Sequence, residues 1–194
     1  MQSTLDQKKL LRDMINSARY IKNYHGSTGG LGVTGFCWGG STTNLVAVRL
    51  GAVVQAAAPF YGSAPDPKDV KRIRADMLMH YAENDKRVNA TRAGYEAALK
   101  EAGTSYEAHT YKGTGHGFHN NTTPRLRRGG GQPGLATHDG LVPQACSSCA
   151  QTLDQIALFS NEYSDVPPWT HSPRNSVLRF DGMVWMISCA RLSP

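Results

Sequence analysis

The sequence predicts an α/β fold, a parallel sheet with flanking helices, on three observations. Short apolar stretches of strand length alternate with longer segments whose apolar residues recur at helical spacing. The strand-like stretches are apolar at consecutive positions, which suits strands buried on both faces. Glycine-rich turns follow them and hold most of the residues capable of chemistry.

The elements follow in order. Leu10, Leu11, Met14, Ile15, Ala18 and Ile21 form one stripe, with Lys8, Arg12, Arg19 and Lys22 off it. That pattern predicts a helix ending near His25-Gly26, where glycine suits a C-terminal cap. Leu31 to Thr34 is a short strand, and a glycine-bracketed turn comes next. Ser41 to Leu50, with Leu45, Val46, Val48 and Leu50, reads as a helix. Val53 to Phe60 is a strand closed by Pro59 and Gly62, and Asp76 to Tyr81 is another. A short helix is expected between these two. Ala90 to Ala102 is a helix capped by Gly103, and Tyr106 to Tyr111 is a further strand.

The chain has 194 residues, enough for one ordinary domain or slightly more. It lacks the run of roughly 20 apolar residues that a membrane span needs. Met1-Gln2-Ser3-Thr4-Leu5-Asp6 lacks the basic flank and apolar stretch of a signal peptide. Averages conceal a break after Arg125. Residues 1–125 hold 16 Lys and Arg against 10 Asp and Glu, including all eight lysines, whereas residues 126–194 hold five of each sign. The excess of +6 is scattered singly without interleaved aromatics, so it reads as solvated surface and not as a nucleic-acid face.

Gly35-Phe36-Cys37-Trp38-Gly39-Gly40 fits Gly-x-nucleophile-x-Gly, the nucleophile elbow. The glycines let a strand turn sharply into a helix without collision. The turn presents the nucleophile at a helix start, where the dipole favours negative charge. A buried structural cysteine in a glycine-rich turn is the alternative. Ala82-Glu83-Asn84-Asp85 puts an acid beyond the next strand but one, and Gly113-Thr114-Gly115-His116-Gly117-Phe118 puts a histidine beyond the last. Nucleophile, acid and histidine therefore occur in the order of an α/β-hydrolase triad.

Together, Gly35 to Gly40, Pro59-Phe60-Tyr61-Gly62, His80-Tyr81-Ala82-Glu83-Asn84-Asp85 and Gly115-His116-Gly117-Phe118-His119 resemble the dienelactone hydrolase family over roughly Leu10 to Arg125. The resemblance implies an α/β-hydrolase that opens enol-lactones or related esters with a Cys-His-Asp triad and no cofactor or metal. It makes Cys37 the nucleophile, His116 the general base and acid, and Asp85 the carboxylate that orients the histidine. The backbone N–H of Trp38 would be one oxyanion donor. Phe60, Tyr61, Phe118, His119 and Asn120 are expected to line the substrate pocket, with core packing the alternative for the aromatics. The expected partner is a small ester or lactone, without nucleic acid or membrane; the sequence sets no oligomeric state.

Three departures accompany the resemblance. Asn120 stands where the best-studied branch has an arginine that binds a substrate carboxylate. Strands that precede the elbow in the family, with the loop supplying a second oxyanion donor, have no counterpart here. Residues 126–194 do not continue as the family's C-terminal helix, because Gly129 to Gly131 and Pro133 break it. A codon choice exists for Leu126 to Cys146 in which removing one base restores an amphipathic helix of that kind. We therefore read residues 1–125 as a partial α/β-hydrolase domain and 126–194 as an aberrant, out-of-frame tail, irregular or disordered. On that reading the sheet would show an unpaired edge and an open apolar face, and the alternative to an active hydrolase is an inactive fragment. Cys146-Ser147-Ser148-Cys149 has the spacing of half a zinc site, and Cys189 with His138 or His171 could complete it, but no second close pair exists. Without a disulfide framework, a cytoplasmic location is the default.

Overall fold

In a computed structural model of the chain, residues 6–25, 27–118, 169–172, 175–180 and 184–190 are described. Helix α1 (Gln7–Lys22) starts at Asp6, whose carboxylate accepts the N–H groups of Lys8 and Lys9. Its last turn carries Arg19 and Lys22, which complement the helix dipole. Met14, Ala18 and Ile21 are buried, as the predicted stripe requires. The Lys22 ammonium then ties the helix end to the sheet by donating to Gly29 O and to Val53 O.

The next elements are β1 (Ser27–Phe36), α2 (Trp38–Leu50), β2 (Ala56–Phe60), α3 (Pro67–Val70), β3 (Asp76–Ala82), α4 (Lys86–Glu101) and β4 (Tyr106–Tyr111). Strands β1 to β4 are parallel neighbours in chain order. Every predicted element is present, and the differences lie at the ends. Residues 51–53 form a 3-10 turn instead of opening the second strand. Pro59, expected to close that strand, lies within β2 opposite Gly35. Helix α2 begins at Trp38 instead of Ser41, and α4 at Lys86 instead of Ala90.

Alternating side chains divide the core between the two faces of the sheet. Leu31, Val33, Ala57, Met77, Met79 and Tyr81 join Met14, Val46, Val70, Val88, Tyr95 and Leu99 in one cluster, so all four helices contribute to it. Ala56, Ala58, Phe60, Tyr61 and Leu78 form the second, with Phe36, Cys37 and Phe118 packed on it. Among the described residues no helix interior contributes to this second face, although covering helices were expected on both.

The C-terminal part departs further from expectation. Three strands, β5 (Trp169–Ser172), β6 (Asn175–Phe180) and β7 (Val184–Ala190), extend the sheet in the order β4-β3-β2-β1-β7-β6-β5. All three are antiparallel to their neighbours, and β7 lies along β1, with Leu31 opposite Ser188 and Gly35 opposite Val184. Within the tail expected to be irregular, residues 169–172, 175–180 and 184–190 are strands, and the β1 edge expected to be unpaired is paired. The physical reason is local composition: Val177, Phe180, Val184, Trp185 and Ile187 favour extended backbone. No helix among the described residues is long and apolar enough to cross a membrane.

Candidate active site

Cys37 joins β1 to α2 with φ 57° and ψ −115°, a region that costs a non-glycine residue strain. Its surroundings hold it there. The Cys37 N–H donates to Phe60 O at 3.1 Å, and Cys37 O accepts the Ser41 N–H at 3.1 Å to start the helix. A Cβ on Gly40 would stand 2.3 Å from Phe60 O, and one on Gly62 would stand 2.2 Å from the Gly40 carbonyl carbon. The first turn of α2 therefore rests directly on the end of β2, which only glycine permits at both positions. Trp38, the first helical residue, has an N–H without an acceptor inside the helix. Its indole N–H reaches Gln7 Oε1, linking α2 to α1.

Asp85 follows β3 and caps α4. One carboxylate oxygen accepts the Val88 N–H at 3.3 Å, and the other lies 2.5 Å from His116 Nδ1. Asp85 is buried, at 5% exposure. His116 follows β4, and its Nε2 lies 2.9 Å from Cys37 Sγ. A carboxylate only accepts, so Nδ1 carries a proton toward Asp85, and the other ring nitrogen, Nε2, faces the Cys37 sulfur. Three residues far apart in sequence thus form one hydrogen-bonded line at the C-terminal ends of three parallel strands.

The loops carrying the acid and the histidine are tied together. Glu83 N–H donates to Tyr111 O at 3.2 Å and Asn84 N–H to Thr114 O at 2.9 Å. The Gly113 N–H donates to the Glu83 carboxylate at 2.7 Å. Asn89 braces the acid loop from α4, donating to Ala82 O and Glu83 O.

Aromatic rings surround the line. Tyr61 packs edge-on against His116 with ring centroids 5.1 Å apart, and Phe118 lies 5.2 Å from Tyr61. Burial first, and then the neighbouring Cys37, push Tyr61 ionisation above its ordinary value, so it remains a neutral phenol. Phe60 stacks on His80 at 4.0 Å, and His80 Nδ1 lies 2.8 Å from the Tyr111 hydroxyl. Burial raises Tyr111 to about 12.

The structure thus brings together Cys37, Asp85, His116, Tyr61 and Phe118, with Phe60 beneath them. His119 and Asn120 lie outside the described residues, as do Cys146, Cys149 and His138. Among the described residues no three His, Cys, Asp or Glu side chains gather as a metal-binding group. Sequence reasoning missed Phe36, 4.7 Å from Phe60, and the pairing of His80 with Tyr111. Strand alternation was the available signal for that pair, since His80 sits opposite His109, two residues before Tyr111.

A profile described as "Dienelactone hydrolase family" matches residues 1–150. This chain belongs to the dienelactone hydrolase family. A Bradyrhizobium protein named as a probable 2-oxo-3-(5-oxofuran-2-ylidene)propanoate lactonase is 32% identical over 129 residues, covering 60% of this chain and 51% of its own. A carboxymethylenebutenolidase homolog of Rattus norvegicus is 28% identical, covering 57% of this chain and 45% of its own. The chain therefore spans about half the length of the curated relatives it matches. A crystal structure from Klebsiella pneumoniae subsp. pneumoniae that carries the dienelactone hydrolase name superposes with a TM-score of 0.59 at 20% identity. The match covers 84% of this chain and 65% of that one, and the likeness is one of fold. Within this dienelactone hydrolase family chain, the matched span contains Cys37, Asp85 and His116, and it runs past the compositional break at Arg125.

Proposed function

We propose that this chain carries the site of a hydrolase that opens esters or lactones through a Cys37-His116-Asp85 triad and an acyl-enzyme. The supporting observation is the continuous line from Cys37 Sγ to His116 Nε2 (2.9 Å) and from His116 Nδ1 to Asp85 Oδ2 (2.5 Å). Cys37 Sγ attacks the carbonyl carbon while His116 Nε2 takes the thiol proton. Asp85 keeps the imidazole in the required tautomer and stabilises the imidazolium that forms. The Trp38 N–H donates to the oxyanion. On collapse the carbon–oxygen bond of the leaving group breaks, and His116 returns its proton to that oxygen. In a lactone the released hydroxyl remains attached to the acyl group. Water, deprotonated by His116, then attacks the thioester and frees Cys37.

Tyr61, Phe118 and Phe60 give the acyl side an apolar, ring-lined wall. Asn120 supplies no fixed cation, so neutral esters and lactones fit the reading. Nucleic acid and membrane have no part in it, and an unpaired Cys37 thiol suits a reducing cytoplasm.

The test is p-nitrophenyl acetate hydrolysis. A burst of p-nitrophenol approaching one equivalent per chain is expected, and it disappears in Cys37→Ala. Near-normal turnover in that variant would overturn the assignment. A folded chain whose Cys37 alkylates at the same rate with and without His116 would leave the alternative reading, this fold without the activity.

A further inference from the structure

We propose that Glu83 is a positioning residue that sets the His116 loop against Asp85, an inference that rests on the triad reading above. The Asp85–His116 hydrogen bond joins two separate loops, so its length depends on how those loops are held. Among the described residues three further bonds join them, and two of these are backbone to backbone, Glu83 N–H to Tyr111 O and Asn84 N–H to Thr114 O. Any residue types could make these. The third, from the Gly113 N–H to the Glu83 carboxylate at 2.7 Å, is the only one of the three that depends on a side chain.

Gly113 has φ 69° and lies at the turn that carries the chain from β4 toward His116. The turn's internal bond, from Thr114 Oγ1 to Tyr111 O, closes it without attaching it to the acid loop. Glu83 supplies that attachment between the two backbone bonds, and a charged acceptor strengthens it. Asn89 holds Ala82 O and Glu83 O from α4, so the Glu83 backbone is itself braced. Glu83 touches neither thiol nor imidazole in this arrangement. It acts through Thr114 and Gly115, the two residues between Gly113 and His116.

Glu83→Ala and Glu83→Gln in the full chain test this, because glutamine keeps an acceptor for the Gly113 N–H and alanine does not. Two readouts avoid dependence on turnover: the downfield proton resonance of His116 Nδ1–H, and the rate of Cys37 alkylation by iodoacetamide at neutral pH. In Glu83→Ala the resonance is expected to move upfield or broaden, and alkylation to slow by about ten- to a hundred-fold. Glu83→Gln is expected to restore both. An unchanged resonance and rate in Glu83→Ala, with His116→Ala slowing alkylation in parallel, would overturn the role of Glu83 alone. Loss of a cooperative thermal transition in Glu83→Ala would also overturn it, by assigning Glu83 to stability. So would a glutamine variant as impaired as alanine, since charge and not the hydrogen bond would then matter. Alkylation indifferent to His116→Ala and Asp85→Asn would instead count against the triad reading itself.

Discussion

At Asp85 one carboxylate makes two hydrogen bonds with different consequences, to the Val88 N–H of α4 and to His116 Nδ1. Asparagine caps a helix about as well as aspartate but cannot hold an imidazolium. Asp85→Asn should therefore leave unfolding free energy within about 0.5 kcal/mol of the parent while lowering kcat/KM by up to about 10⁴-fold. Asp85→Ala should lose the cap too, at roughly 1 kcal/mol. Urea melts and ester hydrolysis on the two variants separate the effects. Asn120 bears on selectivity: without a fixed cation, neutral esters should have kcat/KM at least equal to their carboxylated counterparts. A preference for the anion of about a hundred-fold, some 2.7 kcal/mol, would contradict this. That Cys37, Asp85 and His116 each follow a strand was legible in the sequence, because each lies in a turn just beyond a strand-like stretch. Glu83 was not, because a carboxylate on a loop gives no sequence sign of accepting a backbone N–H thirty residues away.

At the scale of elements, the contact between α2 and β2 decides whether the elbow forms. Helix propensity places the start of α2 late, since Gly39-Gly40 weakens any helix. Tertiary packing reverses that preference, because Gly40 and Gly62 must touch. Gly40→Ala puts a methyl group 2.3 Å from Phe60 O, the acceptor of the Cys37 N–H. The neighbour is backbone and cannot rotate away, so the variant should lose about 1–3 kcal/mol. Alkylation of Cys37 should become independent of His116, as the thiol moves off the imidazole. A variant with parental thermal stability and parental alkylation would show that the contact is looser than the geometry implies. The strands β6 and β7 were overlooked for a different reason. The many prolines and glycines of residues 126–194 rule out a helix but not strands, and Asp181-Gly182 is a sequence signal for a hairpin.

For the whole molecule, three buried tyrosines, Tyr61, Tyr81 and Tyr95, and the half-buried Tyr111 set the response to alkali. Tyr81 and Tyr111 are each raised from 10.0 to about 12, chiefly by burial, and Tyr61 and Tyr95 are raised further. Above pH 10 the unfolded chain releases these protons while the native chain retains them. Stability from this source is thus complete below about pH 10 and is lost as pH rises through about 12. The melting temperature should fall steeply over that interval, with tyrosinate absorbance appearing together with unfolding and not before it. A melting temperature independent of pH between about 9 and 11.5 would refute the burial argument. We also propose residues 1–125 as the hydrolase-like domain, since Cys37, Asp85, His116 and the loops that hold them all precede Arg125.

What this sequence determined by itself was local: the periods of helix and strand, the glycines that allow a sharp turn, and the order of cysteine, acid and histidine along the chain. These depend on neighbours within a few residues, so pattern suffices to read them. Only the tertiary structure decided that the helices among the described residues gather on one face, that β7 lies along β1, and that the Gly113 N–H meets the Glu83 carboxylate. Each of those outcomes is a contact between residues distant in sequence. Its energy depends on which surfaces meet, and the local sequence does not contain that information.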